Sequence, residues 1–172
     1  IAASLPFTLY IACFRKNFVS LFDSQVLLFF SLIIVFVLSI ALWTHLNNNI
    51  NIFLALRLSL FNSISIMTGT GYSTENFSNW GYFANTMFLI MMLLGGCSGS
   101  TTGGLKIFRI QVLWALVIKE LKTIRSPRAI TNINLKNINI NENIINSVMI
   151  IFFCFICSIF FIASVFLYYG YD

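Results

Sequence analysis

Long uncharged segments constrain this chain more than any other feature of its sequence. Between Asp23 and Arg57 there is no charged residue, and residues 26–43 are almost wholly aliphatic or phenylalanine. A second uncharged run covers residues 144–169 and closes on neighbouring tyrosines. A helix needs about 20 consecutive apolar residues to cross the hydrocarbon core of a bilayer, and tyrosines are enriched at its interfaces. We therefore predict two membrane-spanning helices.

The composition excludes most classes of soluble protein. Of the 172 residues, 59% are hydrophobic and 9% are charged, whereas a soluble domain carries about 25% charged residues. A soluble enzyme, a disordered tail and a nucleic-acid-binding domain are thereby excluded, so we expect no nucleic-acid partner. The four cysteines follow neither a disulfide nor a zinc pattern. Because the chain begins at Ile1 rather than at methionine, we expect it to be a piece of a longer polypeptide.

Residues 52–67 form an apolar stretch that is too short to span a bilayer. At 1.5 Å per residue a helix of this length reaches roughly 24 Å, against a hydrocarbon core of about 30 Å. It is followed by five residues that suit a helix poorly, namely Thr68, Gly69, Thr70, Gly71 and Tyr72. We predict a re-entrant helix over residues 52–67 and a loop over residues 68–72.

Residues 81–124 are interpreted as one membrane helix interrupted at mid-depth. The interruption has five glycines and four hydroxyl side chains in ten residues: Gly95, Gly96, Cys97, Ser98, Gly99, Ser100, Thr101, Thr102, Gly103 and Gly104. Such a string would form a poor continuous helix, so an unwound loop is favoured over the alternative, a glycine-rich helix surface for close packing. A phosphate-binding loop is rejected, since Leu105 follows where that motif requires lysine.

The basic residues indicate the orientation in the membrane. Seven of the ten lie after the interruption: Lys106, Arg109, Lys119, Lys122, Arg125, Arg128 and Lys136. Residues 68–80 contain Glu75 and no lysine or arginine. Because cytoplasmic loops of membrane proteins are enriched in lysine and arginine, we predict a cytoplasmic lead-in over residues 1–23 and a cytoplasmic linker over residues 125–141. The loop at residues 68–80 then opens outside.

Two non-helical stretches inside one membrane chain favour a permeation path. Backbone without internal hydrogen bonds is tolerated at that depth only where it is buried in protein or lines water. The short helix directs its partly negative C-terminus toward residues 68–72, which favours a cation, and loop carbonyls can replace an ion's hydration shell. Neutral dipoles suit a monovalent cation better than a divalent one. The alternative for residues 68–72 is an ordinary extracellular turn.

The string LGGCSGSTTGGLKIFR from Leu94 to Arg109, with the segment TGYST at residues 70–74 and Trp80, resembles the membrane subunit of Trk-type potassium uptake systems. That superfamily also includes the Ktr and plant HKT transporters. The resemblance implies an all-α integral membrane fold, with four potassium-channel-like repeats of helix, pore loop and helix around one pore.

The resemblance also implies how this chain divides into such repeats. A third repeat would cover residues 24–124, with a first helix at 24–46, a pore helix at 52–67, a selectivity filter at 68–72 and a broken helix at 81–124. The linker at 125–141 would lead to the first helix of a fourth repeat at 142–172. The remaining repeats would belong to the same polypeptide.

By the same resemblance, Thr68, Gly69, Thr70, Gly71 and Tyr72 form the ion-binding filter, with K⁺ held at Thr70 and Gly71. Gly71 matches the filter glycine, and Gly69 offers an alternative register. Residues 95–104 match the intramembrane loop that gates the pore beneath the filter. Lys106 and Arg109 are expected to tether that loop or a cytoplasmic regulator, with simple anchoring by positive charge as the alternative.

The implied function is potassium uptake through a channel-like pore in the cytoplasmic (inner) membrane of a bacterium. No enzymatic activity and no covalently bound cofactor are expected, and K⁺ is the transported ion. The implied partners are membrane lipid, the other repeats, a second copy forming a homodimer, and a cytoplasmic nucleotide-binding regulatory subunit docked on residues 119–128. Two alternatives stay open: a helical scaffold subunit that transports nothing, and a sodium-preferring member of the same superfamily.

Overall fold

The described elements of the chain are almost all helical. The computed structural model describes residues 1–14, 23–75, 80–125, 134–135, 138–139 and 142–170. A short 3₁₀ helix (Ala2–Ser4) precedes six α-helices: α1 (Phe7–Phe14), α2 (Ser24–Asn48), α3 (Ile52–Met67), α4 (Tyr82–Leu93), α5 (Ile107–Arg125) and α6 (Glu142–Tyr168). Two antiparallel strands of two residues each, β1 (Asn134–Leu135) and β2 (Ile138–Asn139), lie between α5 and α6 along the chain.

Among the described residues, two helices are long and apolar enough to cross a membrane, as predicted. These are α2, with 25 residues, and the part of α6 from Asn143 to Tyr168, with 26 residues; the mean hydropathy is 2.9 in both. Helix α2 continues to Asn48, past the predicted end of the first span at Leu46. The next residue, Asn49, caps the C-terminus of the helix. Its φ of 52° is a left-handed conformation that asparagine tolerates better than most residues.

The chain forms two compact units, Ile1–Phe108 and Arg109–Asp172, and α5 passes from the first unit into the second. In the first unit, α2 packs against α3 and α4. The core of this unit is built from large apolar side chains that are almost fully buried, among them Phe29, Ile40, Met67, Phe88 and Met91. The three packed helices hold the loops that follow α3 and α4.

Helix α3 covers residues 52–67, the stretch predicted as the short re-entrant helix. The side chain of Asn51 accepts a hydrogen bond from the Phe53 N–H at 3.3 Å and so caps the start of the helix. The chain just before α4 is joined to α2, because the Trp43 indole N–H donates to the Trp80 carbonyl at 3.1 Å. The assignment of α3 as a pore helix stays a prediction.

The predicted interruption of the second membrane helix is present. Helix α4 ends at Leu93 and α5 begins at Ile107, so the non-helical segment covers residues 94–106 and contains the whole glycine-rich string. A continuous helix with a glycine packing surface is therefore not formed. Most of the predicted linker 125–141, with Arg128 and Lys136, lies outside the described residues.

Candidate functional site

Residues 68–72, here called the filter loop, are fastened at their start to the last turn of α3. The N–H of Gly69 donates to the Ile66 carbonyl at 3.0 Å. The N–H groups of Thr70 and Gly71 both donate to the Ser65 carbonyl, at 2.9 and 3.4 Å. The backbone donors of the loop are thus directed back onto the C-terminal end of the helix.

The carbonyl oxygens of the filter loop accept no hydrogen bond from the described residues. Gly69 and Gly71 adopt φ angles of 70° and 79°, in the left-handed region that glycine enters without steric cost. In the described part of the chain, no donor reaches the carbonyl oxygens of residues 68–72. Uncommitted carbonyls next to the partly negative end of a helix are chemically suited to a cation.

The two threonine hydroxyls of the filter loop have different surroundings. The Thr68 hydroxyl donates to the Ile64 carbonyl at 2.7 Å and lies 2.7 Å from the Thr70 hydroxyl. Because Thr68 is bonded to α3, it stabilises the turn and is a weaker candidate for ion contact than Thr70. Tyr72, by contrast, leaves the turn and is 74% exposed.

Residues 95–104 are here called the glycine-rich loop. The two ends of this loop lie side by side and are joined by backbone hydrogen bonds. The Leu105 N–H donates to the Leu93 carbonyl at 3.0 Å, and the Gly95 N–H donates to the Leu105 carbonyl at 2.7 Å. A third bond joins the Ile107 N–H to the Gly96 carbonyl at 3.1 Å. These three bonds form a stem that closes the loop at its base.

Two glycines of the stem leave no room for a side chain. A Cβ atom on Gly95 would lie 2.3 Å from the Gly103 carbonyl oxygen. A Cβ atom on Gly96 would lie 2.5 Å from the Thr102 hydroxyl and 2.7 Å from the Ser4 carbonyl oxygen. The close approach of the two sides of the loop therefore requires glycine at position 95, and the packing of Ser4 and Thr102 against the backbone requires it at position 96.

Lys106 clamps the outer part of the glycine-rich loop. Its ammonium group donates to the Ser100 carbonyl at 2.9 Å, to the Ser100 hydroxyl at 3.2 Å and to the Thr102 carbonyl at 2.5 Å. From the sequence, Lys106 was expected to tether this loop or a cytoplasmic regulator, and that role stays a prediction. Arg109 lies in the first turn of α5, and its tethering role stays a prediction.

If the glycine-rich loop gates a pore, as the sequence predicts, replacing Lys106 by methionine is expected to raise the passive leak of ions through that pore. The substitution keeps an apolar side chain of similar length and removes hydrogen bonds from a charged donor, which contribute about 1.5–3 kcal/mol each. The measurement is the efflux of preloaded rubidium from proteoliposomes that hold the full-length membrane protein without any partner protein. Lys122→Met is the matched control, because it removes the same charge from an exposed position on α5. Equal leak in the two variants would contradict a clamping role.

No feature of the sequence indicated that Gln25 contacts the glycine-rich loop. The side-chain oxygen of Gln25 accepts a hydrogen bond from the Ser98 N–H at 3.1 Å. The backbone carbonyl of Gln25 accepts a second bond from the Cys97 thiol at 3.7 Å. Gln25 stands in the first turn of α2, so this helix holds the loop from a second side. In the sequence, Gln25 is simply a polar amide near the start of the uncharged run that follows Asp23, and this does not indicate a partner.

The first residues of the chain also pack on the glycine-rich loop, although they were predicted only as part of a lead-in. The Cys97 N–H donates to the Ser4 carbonyl at 2.9 Å, and Ser4 is fully buried. Two further bonds of 3.3 Å join the Phe7 N–H to the Gly99 carbonyl and the Thr101 N–H to the Ala3 carbonyl. These contacts use backbone atoms, which leave no pattern of residue types to predict from.

The filter loop and the glycine-rich loop line the same cavity. Its volume is about 660 Å³. The lining includes Gly69, Gly71 and Tyr72 from the first loop, Gly103 and Gly104 from the second, and Asn85 from α4. The two non-helical segments predicted from the sequence therefore contribute to one cavity of the first compact unit.

Comparison with known proteins identifies relatives that are transporters. The family model of TrkH, described as a cation transport protein, matches residues 5–168. The Trk system potassium uptake protein TrkI of Halomonas elongata is 37% identical over 123 residues, which cover 71% of this chain and 25% of that protein. The corresponding protein TrkH of Escherichia coli K12 is 32% identical over 115 residues, covering 67% of this chain and 24% of its own length.

A solved structure has the same fold. The crystal structure of the potassium transporter TrkH from Vibrio parahaemolyticus superposes with a TM-score of 0.81 at 27% sequence identity, over 88% of this chain and 33% of that one. The predicted all-α membrane fold class is confirmed, and the prediction that the chain is not an enzyme agrees with its relatives. The chain spans about a quarter of the length of these curated relatives. Its match over nearly all of its residues shows that it belongs to the TrkH family of cation transport proteins.

Proposed function

We propose that this chain forms one helix–pore helix–filter–broken helix repeat, with the first helix of the next repeat, of a potassium uptake pore. The observation that carries the proposal is the cavity that the filter loop and the glycine-rich loop share. The remaining repeats belong to the same polypeptide, and the chain together with them is here called the complete transporter. The chain covers 25% and 24% of two relatives named as potassium uptake proteins, so proteins of their length have room for further repeats.

In this proposal the filter loop selects the ion. K⁺ sheds its water at Thr70 and Gly71, where backbone carbonyls replace the hydration shell. The proposal is supported by the uncommitted carbonyls of residues 68–72 and by the last turn of α3, whose partial negative charge favours a cation. No covalent chemistry and no bound cofactor take part in this step.

The glycine-rich loop acts as the gate. It lies on the cavity that the filter also lines, and it is held by the stem, by Lys106, by Gln25 and by the Ala3–Ser4 backbone. Opening requires the loop to leave at least some of these partners. A set of separable bonds suits a gate because each neutral bond contributes only about 1 kcal/mol and each bond from Lys106 about 1.5–3 kcal/mol.

The surroundings follow from the same proposal. The protein is a multi-pass component of a bacterial cytoplasmic membrane, surrounded by lipid and paired with a second copy of itself. A cytoplasmic nucleotide-binding regulatory subunit docks on the basic stretch 119–128, of which Lys122 and Arg125 are exposed on α5. Arg128 of this stretch lies outside the described residues.

Rubidium uptake tests the proposed function. The complete transporter is produced in cells that lack their own potassium uptake systems, and the entry of rubidium and of sodium is measured separately. We expect growth at low external potassium and rubidium entry that excess potassium inhibits. Sodium entry that exceeds rubidium entry would favour the sodium-preferring alternative. If neither ion enters, the result would favour the scaffold.

A further inference from the structure

Asn62 joins the middle of α3 to the chain beyond the filter loop. Its Nδ2 group donates to the Thr74 hydroxyl at 3.1 Å, and its Oδ1 atom accepts the Thr74 N–H, also at 3.1 Å. The Thr74 hydroxyl lies 3.4 Å from the same Oδ1 atom and can donate to it. One amide therefore holds both the backbone and the side chain of Thr74.

The Asn62 side chain is only 1% exposed, and it stands in an apolar helix. Burying an amide among apolar groups is unfavourable unless its hydrogen bonds are satisfied, and asparagine is a weak helix former. Neither packing nor helix formation accounts for this residue. Its contact with Thr74 does, because that contact uses both ends of the amide.

The filter loop is consequently fastened at both ends to one helix. Its first part is held by the Ile66 carbonyl, which accepts from Gly69, and by the Ser65 carbonyl, which accepts from Thr70 and Gly71. Its far side is held by Asn62 through Thr74, and Asn62 itself lines the cavity together with Gly71. The segment between these two anchors contains the proposed ion-binding carbonyls.

We propose that Asn62 is a positioning residue that sets ion selectivity by fixing the far end of the filter loop through Thr74. This inference rests on the proposed function of the filter loop. Discrimination between K⁺ and Na⁺ depends on the size of the coordination cage or on the number and field of its carbonyl dipoles. Either dependence requires carbonyls whose positions are held by supporting contacts. Without the Asn62–Thr74 contact, the loop can close around the smaller sodium ion.

Three variants of the complete transporter distinguish the effects of the individual hydrogen bonds between Asn62 and Thr74. Asn62→Leu keeps the approximate volume and removes every bond to Thr74. Thr74→Val keeps the backbone bond to Asn62 and removes the hydroxyl, whereas Thr74→Ser keeps both. The measured quantity is the ratio of rubidium to sodium uptake at equal amounts of protein in the membrane, with KM and maximal rate recorded for each ion.

We expect Asn62→Leu to lower the rubidium-to-sodium ratio roughly tenfold, which corresponds to about 1.4 kcal/mol. That value is close to the net contribution of one ordinary hydrogen bond. Thr74→Val lowers the ratio less, and Thr74→Ser leaves it unchanged. The change should appear mainly as a lower KM for sodium, a result that a general loss of folded protein does not produce.

Ser63→Ala is the matched control. Ser63 is the next residue along α3, it is 0% exposed, and its hydroxyl has no hydrogen-bond partner among the described residues. The substitution disturbs the same buried stretch of helix without touching Thr74. We expect the uptake ratio of this variant to equal that of the unaltered transporter.

The outcomes distinguish this inference from the proposed function. If the unaltered transporter carries rubidium and Asn62→Leu changes the ratio no more than Ser63→Ala does, the positioning role is wrong while the proposed function stands. If Asn62→Leu does not reach the membrane, the difference between Thr74→Val and Thr74→Ser decides, and equal ratios overturn the inference. If the unaltered transporter carries neither ion, the proposed function and this inference both fail.

Discussion

A complete transporter that carries Gly71→Ser is expected to lose most of its discrimination between rubidium and sodium. Gly71 has a φ of 79°, and a Cβ added there would meet no atom within 4 Å. The substitution therefore causes no clash, but it places a side chain in the left-handed region at a cost of about 1–2 kcal/mol. The backbone relieves that cost by rotating, and rotation displaces the carbonyls that would hold the ion. An energy of this size corresponds to roughly a 5- to 30-fold change in an equilibrium, and the uptake ratio of the two ions measures it.

Gly99→Ser is the control for backbone strain. Gly99 has a φ of 76°, and a Cβ there would likewise meet no atom within 4 Å. The two substitutions thus impose a similar strain, one in the filter loop and the other in the glycine-rich loop. We expect Gly99→Ser to leave the rubidium-to-sodium ratio unchanged, although it can alter leak. Equal loss of selectivity in both variants would show that the ratio reports general strain, and the assignment of Gly71 to the filter would be wrong.

The parts of the fold that the sequence predicted well are those that depend on local chemistry. The bounds of α3 were predictable because an apolar run of 16 residues is followed directly by the TGTGY segment, which suits a helix poorly. The interruption at residues 94–106 was predictable because five glycines in ten residues oppose a helix. The length of an apolar run and its glycine content are local properties, so they can be read without the tertiary structure.

The contacts that hold the candidate site together were not predictable in the same way. Asn62 and Thr74 are 12 residues apart, and Gln25 and Ser98 are 73 residues apart. Nothing in the residue types of either pair specifies its partner, since an amide can bond to any nearby donor. The Ser4 and Ala3 contacts use main-chain carbonyls, which every residue has. Lys106 was an intermediate case, because its charge is equally consistent with anchoring at the cytoplasmic side.

The stem of the glycine-rich loop gives the second prediction with a large effect. Gly95→Ala is expected to raise rubidium leak strongly, because the added Cβ would lie 2.3 Å from the Gly103 carbonyl oxygen and 3.1 Å from that of Leu105. The close atoms belong to the backbone and cannot rotate away as a flexible side chain would. Overpacking of this kind costs about 1–3 kcal/mol, which corresponds to a shift of roughly 5- to 150-fold between two states. We expect the strain to favour the state in which the two sides of the stem have separated.

Gly103→Ala makes the test specific, since it adds the same methyl group on the opposite side of the same loop. A Cβ on Gly103 would meet no atom within 4 Å, and its φ lies outside the left-handed region. The leak is measured as rubidium efflux from proteoliposomes with equal amounts of each variant. If the stem keeps the gate closed, Gly95→Ala leaks and Gly103→Ala retains rubidium as the unaltered transporter does. Because both changes remove a glycine from the loop, equal leak would mean that loop flexibility controls the flux and that the packed stem does not.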